Sequence, residues 1–273
     1  MHTFETAGRV LVRVGIQGGQ VDLETWDAAR TEVEVTPLRD DDATMAAVHE
    51  TQVSSRERPD GVTEIAVEQP KRRGGFLSRG PKLGVKVRCP HGTDLELTTS
   101  SADVRGAGGF GEVTHKTASG DSSFEAVAGA RISSASGDIA IGTGEGALML
   151  NTASGDIEVR LAAGPLTANL VSGDARVLEA RDALSVNTVS GDQHIDASGG
   201  APVRLQSVSG DVRIDVRPGL RLWIDAASVS GTVSSQLDAS DAPPEGAESV
   251  GELRIRTVSG DIGIGRALPL AVS

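Results

Sequence analysis

The tripeptide Ser-Gly-Asp recurs through the latter part of the chain, and no other feature constrains the fold as strongly. It begins at Ser119, Ser136, Ser154, Ser172, Ser190, Ser209 and Ser259, with variants Ser101-Ala102-Asp103 before the series and Ser230-Gly231-Thr232 within it. Successive copies lie 18, 17, 18, 18, 18, 19, 21 and 29 residues apart, so the last two gaps hold insertions. The larger insertion, around Ser240 to Ser249, contains Asp241-Ala242-Pro243-Pro244-Glu245-Gly246 and reads as a solvated loop.

Aligning the copies on their Asp reveals columns. Eight residues before it stand Leu148, Leu166, Leu184, Val203 and Leu253, and six before it Ile132, Leu150, Val186, Leu205 and Ile255. This is the alternation of one strand face. Ser134, Thr152, Thr188, Ser207, Ser228 and Thr257 follow at four before, then Ala118, Ala135, Ala153, Val171, Val189, Val208, Val229 and Val258 at three before, where the inward phase shifts at a corner. A second strand starts at once after the Asp, with apolar pairs such as Ile139 and Ile141, Ile157 and Val159, and Ile262 and Ile264.

Each unit of about 18 residues is therefore two short strands and two turns, too small to bury its apolar face except against neighbouring copies. The expected class is all-β: a single-stranded β-solenoid over residues 99–273, with residues 1–98 as an irregular β-rich cap continuous with it. An antiparallel meander of hairpins remains the alternative. The composition suits a thin core of stacked aliphatic side chains. There are 34 Gly and no Tyr, and the aromatics are only Phe4, Phe76, Phe110, Phe124, Trp26 and Trp223.

In the N-terminal part, strands are expected at Arg9 to Ile16, Gln20 to Thr25, Thr31 to Thr36, Val62 to Glu68, Gly84 to Arg88 and Asp94 to Thr98. One helix is expected over Asp40 to Val53, capped by Asp42. The solenoid is expected to end at Ile264, with only Arg266 to Ser273 to cover an edge that another copy could pair with.

The net charge of −12 opposes general binding to nucleic acid. Cys89 stands alone, which excludes an internal disulfide and suits a reducing compartment. With no apolar run long enough for a membrane span, the sequence reads as cytoplasmic.

The strand-Ser-Gly-Asp-strand unit after an irregular β-rich segment resembles a bacterial family of β-strand-repeat proteins of unknown function labelled as candidate adhesins. It also resembles the toast-rack domains of envelope-stress regulators. The resemblance is strong from Leu95 to Ile264 and weaker before. It implies a β-helical fold and an interaction or sensing role, with no catalytic residues to carry over.

The residues themselves suggest no chemistry. Gly120-Asp121, Gly137-Asp138, Gly155-Asp156, Gly173-Asp174, Gly191-Asp192, Gly210-Asp211 and Gly260-Asp261 are read as structural turns, since Asp bonds nearby backbone groups and Gly supplies positive φ. One acid per 18 residues is sparse for Ca²⁺, and the basic and aromatic partners of polysaccharide-cleaving β-helices are few. Cys89 has no imidazole placed to activate it, and His2, His49, His115 and His194 lack ligand spacing. No catalytic, cofactor or metal site is expected. The Ser/Thr column is read as inward rather than as an ice-binding array. One segment departs from the acidic background: Lys71, Arg72, Arg73, Phe76, Leu77, Arg79 and Lys82, continuing to Lys86 and Arg88 without an acid. This basic loop is the expected contact for a protein partner or a membrane surface. The function expected is a non-enzymatic scaffold or interaction module. The alternative is a sensor or regulatory domain acting with a separate membrane protein.

Overall fold

A computed structural model of the chain describes residues 1–70, 80–237 and 251–267. Two compact units divide at Gly142/Thr143, whereas the sequence pattern changes near residue 98.

The first unit contains β1 (His2–Glu5), β2 (Val10–Trp26), β3 (Arg30–Pro37), α1 (Asp42–Glu50), β4 (Gln52–Glu57), β5 (Thr63–Glu68), β6 (Leu83–Pro90), β7 (Asp94–Ser119) and β8 (Ser122–Ser136). β2 is its organiser. One edge pairs in parallel with β7, while the other pairs with β5 up to Gly15 and with β6 from Gly19 onward. The two strands expected at Arg9 to Ile16 and Gln20 to Thr25 are thus one, because the glycines between them re-aim the chain without ending it. Gly19 has φ +129°, and a Cβ there would lie 1.9 Å from the Leu83 carbonyl oxygen.

Antiparallel strands close the free edges: β3 joins β6, β1 joins β3, and β4 joins β5. The helix is shorter than expected, and its cap is Asp41, whose side chain accepts the Thr44 N–H at 2.7 Å. Asp42 is its first residue. Val53, assigned from the pattern to the helix, belongs to β4, since its pairing with Val67 outweighs a weak helical periodicity.

β9 (Ile139–Gly144) crosses the division, and the second unit continues with β10 (Leu148–Ser154), β11 (Ile157–Ala162), β12 (Leu166–Ser172), β13 (Ala175–Ala180), β14 (Leu184–Ser190), β15 (Gln193–Ser198), β16 (Val203–Ser209), β17 (Val212–Val216), β18 (Leu222–Ser230), β19 (Val233–Ser235), β20 (Gly251–Ser259) and β21 (Ile262–Arg266). Every pairing described within it is parallel and links a strand to its counterpart in another repeat, which decides for the solenoid over the antiparallel meander. The columns stack as identical positions: Leu148 on Leu166 on Leu184 on Val203 on Leu253, each at most 5% exposed.

The order of stacking departs from chain order. β16 pairs with β20 and β20 with β18, while β17 pairs with β21 and β21 with β19. The last repeat is therefore inserted between the two that precede it, and the terminal rung is β18/β19, not the repeat ending at Ile264. Residues 238–250, which include the insertion read as a loop, lie outside the described residues.

Candidate functional site

The Ser-Gly-Asp corners are built by backbone need. A parallel coil turns sharply between its two strands, leaving a backbone N–H at each Asp without a ladder partner. At seven of these corners the carboxylate of the neighbouring coil accepts it. Asp156 Oδ1 takes the N–H of Asp174 at 2.8 Å, Asp174 that of Asp192 at 2.7 Å, Asp192 that of Asp211 at 2.8 Å, Asp211 that of Asp261 at 2.8 Å, and Asp261 that of Thr232 at 2.7 Å. Asp103, Asp121 and Asp138 form the same relay in the first unit, at 3.2 and 3.0 Å. Gly191 shows why the preceding residue is fixed: its φ is +138°, and a Cβ would lie 2.0 Å from the Gly173 carbonyl oxygen. The carboxylates are spent on this relay, and among the described residues no acid, His or Cys cluster is grouped to hold a metal ion.

The Ser/Thr column points inward. Thr152, Thr188, Ser207 and Thr257 are buried, and the hydroxyls of Thr152, Ser207 and Thr257 have no hydrogen-bond partner, while Thr188 accepts from Gln193 Nε2 at 2.9 Å. They do not form a surface array.

The valine column lies one residue on and faces outward. Val171, Val189, Val208 and Val258 are 54%, 48%, 49% and 50% exposed, and Val229 at the terminal rung is 83% exposed. The ladder sets them side by side as Val171, Val189, Val208, Val258, Val229, a stripe about 19 Å long at the ordinary strand spacing. Exposed serines flank it on the corner side. On the other side Asn169 and Asn187 extend an amide ladder from Asn151, each donating Nδ2–H to the preceding Oδ1 at 2.9 Å. The repeat columns contained this stripe, but an apolar column beside a corner resembles core until its direction is known.

Of the basic loop, Lys71, Arg72, Arg73, Phe76, Leu77 and Arg79 lie outside the described residues. Lys82 is anchored, its Nζ donating to the carbonyl and hydroxyl oxygens of Ser101, both at 3.2 Å. Gln69 and Pro70, just before the segment, line an open groove with Arg13, Gln17, Gln52 and Glu68. Near its wall the buried Glu64 carboxylate is ringed by Arg56 at 2.9 Å, Arg13 at 3.1 Å and Arg58 at 3.6 Å, a cluster the sequence reading did not identify. Burial pushes the Cys89 thiol up to about 11 against a smaller opposing contribution from Thr93, and its Sγ lies 3.9 Å from the Glu24 carbonyl oxygen.

No curated protein matches the sequence significantly. Solved structures it is similar to include a candidate adhesin from Bacteroides fragilis, with 13% identity over 96% of this chain and 95% of that one and a TM-score of 0.49. Another is a candidate lipid binding protein from Parabacteroides distasonis, with 14% identity over 98% and 96% and a TM-score of 0.46. The family model described as Toastrack DUF4097 matches residues 25–265, nearly the whole described fold, and the chain belongs to that family.

Proposed function

We propose that this protein is a non-enzymatic interaction module that engages a protein partner along the coil faces of its second unit. The observation that carries this reading is the in-register stripe of half-exposed valines. Contiguous apolar surface costs solubility, and soluble domains retain it where a partner covers it. The flanking serine hydroxyls and amide ladder would form a polar rim around an apolar centre, the usual anatomy of an interface. The stripe is flat and repeats at strand spacing, so it suits a partner with an extended, regularly spaced apolar face.

The test is affinity capture from extract of the source organism by three forms of the chain. These are the intact protein, the triple variant Val189→Lys, Val208→Lys, Val258→Lys, and a form with residues 71–79 replaced by a Gly-Ser linker. The valines are half in solvent, so the triple variant should keep its thermal midpoint. The expected result is a protein retained by the intact and linker forms and lost by the triple variant. Capture lost only with the linker form would move the site to the basic segment, and identical capture by all three would overturn the proposal.

A further inference from the structure

Two edges of the described fold end in opposite styles. β4, which closes β5, carries Arg56 and Glu57 and is exposed along almost its whole length, and charge on an edge discourages further pairing. β18 has no comparable guard. Its sequence is Leu-Trp-Ile-Asp-Ala-Ala-Ser-Val-Ser, and among the described residues it pairs on one side only, with β20.

Among the described residues, no strand covers the core positions of the terminal rung. Ile224 and Val233 are 36% and 46% exposed, while their ladder neighbours Leu253 and Ile262 are each 1% exposed. The single charge on the strand, Asp225, is neutralised within the unit. A hydrogen bond from Arg256, with Arg254 at 3.7 Å, holds its carboxyl below the usual range.

A further parallel coil is not the natural occupant of this edge. Each corner hands its neighbour a carboxylate for the next backbone N–H, and at the last corner Thr232 stands where the Asp would be. The relay stops there. Two stretches outside the described residues adjoin these strands in the chain: residues 238–250 bring Pro243, Pro244 and four acids, and residues 268–273 are only six residues long with Pro269 second, compositions unsuited to adding a strand. A second copy of β18 running antiparallel needs no carboxylate relay, and its side chains match. Centred on Ala226, the pairing sets Ile224 opposite Ser228 of the partner and Ala226 opposite itself on the inner face. On the outer face Trp223 falls opposite Val229 of the partner, twice by symmetry. Both are exposed, Trp223 at 51%, and aromatic with β-branched is a favourable cross-strand pair.

We infer that the β18/β19 end is an isologous interface at which two copies of this chain join, antiparallel, through β18 centred on Ala226. The two-fold axis normal to the strands brings β19 beside its own copy as well, covering Val233.

The test is sedimentation velocity of the full chain from micromolar to submillimolar concentration. A reversible dimer is expected, with Val229→Lys weakening association about tenfold or more while leaving the unfolding midpoint unchanged. Register is read by oxidising a mixture of Trp223→Cys and Val229→Cys chains. Cross-linked dimer should form in the mixture and not in either variant alone. A chain that stays monomeric throughout overturns the inference, as does a dimer indifferent to Val229→Lys or one that cross-links within a single variant. If the intact chain is monomeric but dimerises when residues 238–250 are replaced by a short Gly-Ser linker, that segment is the natural occupant and the second copy is not.

Discussion

The two units solve the same problem by different means. In the first, one long strand, β2, is shared among β5, β6 and β7, and antiparallel strands seal the edges. In the second, each strand meets its own counterpart in another repeat, and the columns of aliphatic residues, corner aspartates and amides reinforce one another from coil to coil. The first unit therefore depends on individual residues, and the second on a repeated unit whose errors propagate to both neighbours. Buried polar groups follow the contrast between individual pairs and repeated columns. Unit one holds specific pairs such as Glu64 with its arginines and His115 with Thr99 and Ser122. The repeat column instead leaves inward hydroxyls with no partner, Thr152, Ser207 and Thr257 in unit two and Ser134 where the column begins in unit one.

The contrast can be broken most severely at the corner glycines. Gly191→Ala forces a side chain against the carbonyl of the neighbouring coil and should cost more than about 3 kcal/mol in urea unfolding. Gly61→Ala in the first unit, at φ +76° with nothing near its Cβ, should cost only about 1 kcal/mol. Equal losses would mean the coils are not in contact at the corner.

Position along the stack should matter almost as much. Leu205→Ala, fully buried between two coils, should lose about 3 kcal/mol. Ile224→Ala, on the terminal rung, should lose about 1 kcal/mol in the monomer because its side chain is already partly in water.

The first unit should also be the acid-sensitive one. His115 is fully buried, and burial lowers its pKa to about 4 from 6.5. Its neutral form is the folded one, so above pH 6.5 it contributes no pH dependence. As pH falls from 6.5 towards 4 the unfolded chain takes up a proton that the fold refuses, and stability drops by about 2 kcal/mol by pH 4.5. Comparing unfolding at pH 7 and 4.5 for the intact chain and His115→Gln isolates this share, and equal pH slopes would contradict it.

The smallest effect tests the relay itself. Asp192→Ala removes the acceptor for the Asp211 N–H and should cost about 1 kcal/mol, whereas Asp261→Ala, which serves only Thr232 on the terminal rung, should cost less.

The solenoid and its corners were legible because period, columns and turn chemistry all pointed to one unit. Chain order was the part that misled. A repeat with an insertion carries no mark in its own columns of which copy it stacks upon, since all copies offer the same ladder. The signal lay instead in a departure: Ser230-Gly231-Thr232 lacks the acid that every inner corner donates, which is what a terminal rung can lose without cost. The valine stripe was in view as a column, but its direction depends on the turn conformation at Gly, which sequence spacing does not fix. Glu64 and its arginines come from separate strands and share no local pattern.

The order of the rungs decides which valines adjoin and which edge is open, so it is the point to test first. Arg204 and Arg254 are cross-strand partners on β16 and β20, about one strand spacing apart, within reach of a disulfide. Stacking in chain order would instead place Arg204 beside Asp225. The measurement is disulfide formation under mild oxidation in Arg204→Cys, Arg254→Cys and in Arg204→Cys, Asp225→Cys, with the buried Cys89 left in place. Rapid closure of the first pair and none of the second is the expected result; closure of the second pair alone would contradict the inserted rung.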